Sequence, residues 1–159
     1  MRGRLDSLDW AILKELQADG SIANAALARK VGLSAPACLR RVRALEESGV
    51  VTGYRAMLDP GALGYEVVCF AMVKHAAQGQ AELAAFQDTM RRWPVVRACW
   101  TLSGDVDFLI QAVSPNLAAF QAFVAELTGL PNVGRVRTAL TLDVVKDEPI
   151  VPIEATAPA

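Results

Sequence analysis

The feature that most constrains this sequence is a pair of helical patterns separated by a four-residue turn. The stretch "NAALARKV" places Leu27 and Val31 on one helical face, and Gly32 then ends the pattern. A second helix is predicted over residues 35–48, with a proline in the first turn, where an amide has no intrahelical partner. Two helices joined by a short glycine-containing turn predict a helix-turn-helix unit.

The second helix of this unit concentrates positive charge, because Arg40, Arg41 and Arg43 occupy three of four consecutive positions. At 100° per residue, one side of the helix is apolar and is expected to be buried. That side comprises Cys38, Leu39, Val42 and Leu45, and the opposite side comprises Pro36, Ala37, Arg40 and Arg43, with Arg41 on a flank. Small residues followed by arginines predict a helix that enters a DNA major groove, where arginine reaches both phosphates and guanine edges.

An ordinary solvated helix face is the alternative interpretation of these arginines. Two features favour DNA: the helix is the second of a helix-turn-helix, and the following "VVTGYRAMLD" predicts a short hairpin, or wing. Charge is also uneven, with nine Lys or Arg against six Asp or Glu in residues 1–55 and seven against eleven in the remainder. A basic N-terminal part joined to an acidic remainder indicates two modules with different partners.

After a turn-rich connection, "DPGALGY", the pattern changes to short strands and helices. The predicted elements are a strand in "YEVVCFAMVKH", a helix in "QAELAAFQDTMRRW", two strands in "VVRACWTLSGDVDFLIQAV", a helix in "SPNLAAFQAFVAEL" and a strand in "NVGRVRTALTLDVV". The fold class is therefore α+β, a winged helix-turn-helix followed by a ferredoxin-like βαββαβ domain. We predict domains over residues 1–59 and 66–147, a linker over residues 60–65 and a flexible tail over residues 148–159.

The sequence shows few features that are typical of a catalytic or metal-binding protein. Its three cysteines form no CxxC pair, and the only histidine, His75, is expected at a surface or interface. No Ser/His/Asp set, metal-ligand cluster or phosphate loop is visible, so we expect no enzyme, no metal and no cofactor. No apolar run reaches the roughly 18 residues of a membrane span, and no secretory signal pattern opens the chain, so we expect a cytoplasmic protein without membrane partners.

Several stretches resemble a known family. From "LDSLDWAILKEL" through "LARKVGLS" and "RVRALEESGVVTGY" to "LDPGALGY", the chain is similar to the N-terminal domain of the Lrp/AsnC family, the leucine-responsive and asparagine-responsive regulators. The later "GDVDFLI" resembles the family's Gly-Asp-x-Asp-aromatic-Leu turn, and "VRTALTLDVVK" resembles its closing strand. The resemblance covers about residues 5–147 and is most specific in its first half.

The resemblance implies a transcriptional regulator that binds double-stranded DNA as a homodimer, with dimers assembling into octamers or similar rings. It implies that the recognition helix spans residues 34–43, with Ser34, Ala37 and Arg40 nearest the base edges. Ala35 and Pro36 complete the small helix start, while Arg41, Arg43 and Lys30 are expected against phosphates. The second domain is then expected to mediate assembly and to bind a small effector, usually an amino acid, that tunes DNA binding.

The turn in "LSGDVDFL" is the candidate effector site. Its ordinary interpretation is a hairpin in which Gly104 supplies an unusual φ and Asp105 satisfies local amides. An amino acid needs a cradle of amides for its carboxylate and an acceptor for its ammonium group. The resemblance places the effector near this turn, between subunits, so the candidate residues are Leu102, Ser103, Gly104, Asp105 and Asp107.

Two other functions remain open from the sequence. The first is a chromosome-organising protein that binds DNA with little sequence preference and without a ligand. The second is an enzyme, because siroheme decarboxylases resemble this family in both domains. Tetrapyrrole contacts call for histidines, and a single histidine disfavours that enzyme.

Overall fold

The computed structural model describes residues 5–76, 79–148 and 151–153. The chain divides into two compact units: unit 1 comprises Met1–Met57 with Asp147–Ala159, and unit 2 comprises Leu58–Lys146. The described part of the expected tail therefore groups with the N-terminal helices, and residues 149–150 and 154–159 lie outside the described range. Within the described ranges, no helix is long and apolar enough to cross a membrane.

Unit 1 is built on three helices, α1 (Ser7–Ala18), α2 (Asn24–Lys30) and α3 (Ala35–Glu47). Their apolar faces meet in one core, whose buried members are Ile12, Leu27, Ala28, Cys38, Val42 and Leu45. The turn between α2 and α3 passes through Gly32 at φ 70°, a left-handed conformation that glycine adopts without steric cost. This is the helix-turn-helix that the sequence predicts.

Unit 1 differs from expectation at two places. Leu39 is 38% exposed, because it lies at the border of a buried stripe formed by Cys38, Val42 and Leu45. Residues 51–58, all of them described, contain no strand, so the wing hairpin is not formed. Gly53 interrupts the extended pattern there with φ 152°, and the segment is instead attached through the hydroxyl of Tyr54, which donates to Glu46 Oε1 at 2.9 Å.

Unit 2 begins with a 3-10 turn over Gly61–Leu63. Its elements are β1 (Val67–His75), α4 (Gln80–Arg92), β2 (Val96–Thr101), β3 (Phe108–Ser114), α5 (Leu117–Thr128) and β4 (Val133–Leu140). The four strands pair antiparallel in the order β2-β3-β1-β4. This is the predicted ferredoxin-like βαββαβ arrangement.

Within the described part of unit 2, α4 and α5 cover one face of the sheet and leave the other face uncovered. Alternate residues of β1 and β3 pack with α4 and α5 in one core, formed by Cys69, Ala71, Val73, Phe86, Met90, Phe108, Ile110, Ala112, Phe120, Phe123 and Leu127. The intervening residues point the other way, because side chains alternate across a strand. Phe70, Met72 and Leu109 are among them, and they are half-buried.

His75 is in the core of unit 2 and is not a surface residue, contrary to expectation. It is 4% exposed, and its ring packs edge-on against Phe86 with centroids 4.7 Å apart and lies 5.4 Å from the ring of Phe108. The period of two explains this, since His75 shares the inward face of β1 with Val73 although it ends the strand.

Candidate nucleic-acid and effector sites

The exposed face of α3 carries two arginines. Arg40 and Arg43 are exposed, and neither forms an ion pair with any residue that the structure describes. They border a shallow groove of about 360 Å³ together with Pro36, Leu39, Ala44 and Glu47. A positively charged face with an apolar patch suits DNA, because arginine meets guanine or phosphate and an aliphatic group meets a thymine methyl.

The start of α3 is also open to solvent. Ser34 occupies the N-cap position, but its side chain makes no capping hydrogen bond. Ser34, Ala35 and Pro36 are exposed, and Ala37 is half-buried. First-turn amides at the positive end of the helix dipole attract anions, so this end of α3 can approach a phosphate closely.

Arg41 does not belong to that exposed face. Its Nη1 atom lies 2.9 Å from Asp6 Oδ2 and 2.7 Å from Asp9 Oδ1. Asp6 is the N-cap of α1 and accepts the backbone amides of Leu8 and Asp9, while the Asp9 side chain accepts the Asp6 amide. Arg41 therefore joins α3 to the first turn of α1 through a closed set of charge-assisted hydrogen bonds.

The protonation equilibria of this cluster agree with its geometry. Hydrogen bonds from the Asp9 amide, and then from Arg41, lower the pKa of Asp6 below its ordinary value. Hydrogen bonds to Asp9 and Asp6 raise the pKa of Arg41. Both shifts favour the charged forms, so the contact is an ion pair at neutral pH.

Lys30 is engaged within unit 1 in a similar way. Its ammonium group pairs with Glu15 of α1, on a surface where the lysine side chain is 55% exposed. Asn24 of α2 donates from Nδ2 to the carbonyl of Ala35 at 2.9 Å and so links α2 to the start of α3. Sequence reasoning did not predict the contacts that Asp6, Asp9, Glu15 and Asn24 make between helices, because their partners are 11 to 35 positions away along the chain.

The turn between β2 and β3 exposes most of the candidate effector residues. Ser103, Gly104 and Asp105 are exposed, and Leu102 is 39% exposed. Gly104 has φ 121°, which a side chain would strain. The base of the turn is closed by the Leu102 amide, which donates to the carbonyl of Asp107 at 2.9 Å.

Asp107, the remaining candidate, already has partners. Its Oδ2 accepts the His75 amide at 2.7 Å, and its Oδ1 accepts Lys74 Nζ at 3.0 Å. Its own amide donates to the carbonyl of Val73 at 2.9 Å. The His75 amide is the main cause of a lowered Asp107 pKa, with Lys74 adding to it. Asp107 thus attaches the turn to the end of β1.

A groove of about 360 Å³ lies between α4 and the outer strand β2, near this turn. Its lining includes Arg91, Arg97, Cys99 and Thr101, and Thr101 directly precedes Leu102. The groove therefore reaches the base of the turn and supplies two guanidinium groups, one of them paired with Asp88. Sequence reasoning missed both arginines: Arg97 lies on β2, and only the packing of α4 on the sheet brings Arg91 to the same groove.

The described ranges contain no candidate metal centre. No three His, Cys, Asp or Glu side chains are grouped there as metal ligands. The buried Cys38 and Cys69 and the half-buried Cys99 are free thiols whose pKa values are raised by burial. Raised values disfavour the thiolate, the form that binds metals and reacts with oxidants.

Comparison with known protein families assigns each unit. Residues 5–46 match the AsnC-type helix-turn-helix domain, and residues 68–151 match the Lrp/AsnC ligand binding domain. A leucine-responsive regulatory protein of Rhizobium meliloti is 55% identical over 148 residues, which cover 92% of this chain and 95% of that protein. The leucine-responsive regulatory protein of Escherichia coli strain K12 is 35% identical, over 89% of this chain and 87% of that protein.

Solved structures agree with this assignment. A transcriptional regulator of Neisseria meningitidis, determined as an L-Met complex, superposes with a TM-score of 0.90 at 32% identity, covering 94% of this chain and 97% of that one. An AsnC family transcriptional regulator of Agrobacterium tumefaciens superposes with a TM-score of 0.88 at 34% identity, covering 93% and 97%.

Removing the Asp107 carboxylate should destabilise unit 2 in a pH-dependent way. Asp107→Ala leaves the His75 amide without its acceptor, so we expect a loss of about 1–3 kcal/mol in the free energy of unfolding at pH 7. The folded-state pKa lies below the ordinary 3.8, so the carboxylate stabilises the fold above that value and ceases to do so as pH falls through the folded-state pKa. Urea unfolding at pH 7 and pH 3 measures this effect. The free energy of unfolding of Asp107→Ala should lie closer to that of the unaltered chain at pH 3 than at pH 7.

Asp105→Ala is the matched control, because Asp105 is exposed in the same turn. It should unfold like the unaltered chain at both pH values. A loss that is equal for the two variants, or one that does not change with pH, would contradict the role given to Asp107.

Proposed function

The chain belongs to the Lrp/AsnC family of transcriptional regulators, and we propose that it binds specific DNA sites through α3 and changes that binding when unit 2 takes up an amino acid. The observation that carries the proposal is the exposed pair Arg40 and Arg43, without ion-pair partners in the described structure, on a helix whose third arginine is bound internally. We infer a cytoplasmic regulator, since its target is DNA, and not an enzyme.

The proposed role of each side chain in DNA binding depends on whether it is exposed or held in an ion pair within unit 1. We propose that Ser34, Ala35, Pro36 and Ala37 enter the major groove, where their small size permits close approach. Arg40 then reaches base edges, and Arg43 meets a phosphate, with Leu39 lining the same groove of α3. Arg41 and Lys30 act indirectly in this scheme, since their ion pairs with α1 set the positions of α3 and α2.

The salt dependence of DNA binding should separate a phosphate contact from an internal ion pair. Each phosphate that a cation neutralises contributes about 0.9 to the slope of log affinity against log salt concentration. Arg43→Ala should therefore reduce the slope by about 0.9 for each bound subunit. Arg41→Ala should leave the slope unchanged, although it weakens binding by loosening α3. Fluorescence anisotropy across a salt series measures both, and a lower slope for Arg41→Ala would contradict its internal role.

The effector site is proposed at the turn between β2 and β3. The amides of Ser103 and Gly104 are placed in an exposed turn that can take a carboxylate, and Asp105 can accept an ammonium group. Leu102 offers apolar surface for an aliphatic side chain, and Asp107 holds the turn in position. Leucine and methionine are the first effectors to consider, since relatives of this chain are leucine-responsive proteins and an L-Met complex.

Removing the proposed ammonium acceptor should uncouple the effector from DNA binding. Asp105→Ala should bind DNA as tightly as the unaltered chain, since Asp105 lies outside unit 1, and should no longer respond to leucine or methionine. Glu126→Ala, which removes an exposed carboxylate from α5 of the same unit, is the control and should keep the response. Anisotropy titrations with and without each amino acid measure this. A full response in Asp105→Ala would remove that carboxylate from the site.

A homodimer is proposed to form through the uncovered face of the sheet. That face presents Phe70, Met72, Leu109 and Val113 half-buried, with Trp100 46% exposed at one edge. When two such faces pack together, they bury apolar surface that is otherwise exposed to water. Sheets commonly associate in this way. A dimer presents two copies of α3 and so matches a pseudo-palindromic site. We propose that dimers assemble further into an octamer or similar ring.

A charge placed on that face should dissociate the dimer. Met72→Asp puts a carboxylate, which must lose its water, between the packed sheets, so sedimentation should show monomers and DNA affinity should fall. Leu117→Asp alters an equally apolar residue on α5 that is 53% exposed, and it should keep the assembly intact. Dimers of normal affinity in Met72→Asp would place the subunit contact elsewhere.

A further inference from the structure

The last described residues of the chain make a specific contact with the DNA-binding unit. Gln17 Nε2 donates to the carbonyl of Val151 at 2.6 Å, and the Val151 amide donates to Gln17 Oε1 at 3.0 Å. The side-chain amide of α1 thus satisfies both backbone groups of one residue, as a neighbouring strand would. Residues 151–153 form what we call the docking segment, in which Ile153 is half-buried.

Neither a charged group on Val151 nor burial of its apolar side chain accounts for this contact. Val151 is 69% exposed, so little free energy comes from burying it. The two hydrogen bonds are therefore the specific element, and they depend on a glutamine amide, which supplies both donors and an acceptor. The contact is made by residues 134 positions apart in the sequence, both within unit 1.

We propose that the docking segment is a strap that supports DNA binding by holding the last turn of α1 and that couples unit 2 to it. Gln17 lies two residues after Glu15, whose pair with Lys30 ties α1 to α2. Helix ends fray unless they are held, so release of the strap loosens the turn that carries Glu15. Loosening α1 in turn weakens the presentation of α2 and α3.

The chain order gives the strap a regulatory role, which rests on the function proposed above. Residues 58–146 lie between the two chain segments of unit 1, so unit 2 is joined to unit 1 by two covalent connections. About ten residues link the end of β4 to Val151. A tether this short sets the effective concentration of the docking segment at Gln17, so a shift at the end of β4 changes how often the segment is bound.

Three variants of the full chain test the proposal. Gln17→Ala removes both hydrogen bonds from the helix side. Val151→Pro removes the amide donor from the segment side and leaves every residue of α1 in place, so it separates docking from helix stability. Gln121→Ala is the control, since it removes an exposed glutamine from α5. The readouts are hydrogen exchange at the Val151 amide and anisotropy on duplex DNA from upstream of the gene.

The expected results are linked. The Val151 amide should exchange slowly in the unaltered chain and in Gln121→Ala, and at the unprotected rate in Gln17→Ala. Gln17→Ala and Val151→Pro should each weaken DNA binding by about fivefold or more, the scale of typical coupling, and Gln121→Ala should not. Linkage requires that DNA raise Val151 protection by the same factor.

Several results would contradict the proposal that the docking segment supports DNA binding. They are an unprotected Val151 amide in the unaltered chain, DNA affinity within about twofold of normal in both variants, and tighter binding, which would make the contact inhibitory. Failure of the proposed function looks different, because then the unaltered chain itself binds no DNA at any salt concentration, while exchange at Val151 still reports whether the segment docks.

Discussion

The ion pair between Arg41 and the carboxylates of Asp6 and Asp9 is the interaction on which the DNA-binding unit depends. It engages one of the three clustered arginines and so fixes α3 against the capped start of α1. The remaining two, Arg40 and Arg43, are consequently held on the outer face of α3. An arginine cluster that looks uniform in sequence therefore divides into one structural cation and two that are available for DNA.

The sequence predicts the elements of this protein better than it predicts the state of individual side chains. Helical and strand periodicities identify both folds, because burial of one face imposes them on the sequence. Arg41 and Asp107 show the limit: each looks like a ligand-binding charge, yet each is satisfied by partners more than 30 positions away. Such pairs depend on packing, which no local pattern encodes. The buried His75 has a local cause, because strand alternation places it on the inward face of β1.

Regulation in this account is a coupling between separate sites. The proposed effector turn lies in unit 2, and the proposed DNA face lies on α3 of unit 1, so an amino acid can act only by favouring one arrangement of the assembly over another. The dimer contact proposed at the uncovered sheet face and the strap proposed at residues 151–153 are two physical routes on which such a preference can act. Typical couplings of this kind change affinity by about 5- to 150-fold.

We propose that an amino acid tunes sequence-specific DNA binding by this chain. The most direct test is fluorescence anisotropy with DNA from upstream of its gene and with a scrambled duplex, at two salt concentrations, with and without leucine and methionine. We expect tighter binding to the upstream DNA and a change in that affinity with one of the two amino acids. Equal affinity for both duplexes with no amino-acid effect would contradict it and would favour a chromosome-organising protein that binds through phosphates alone.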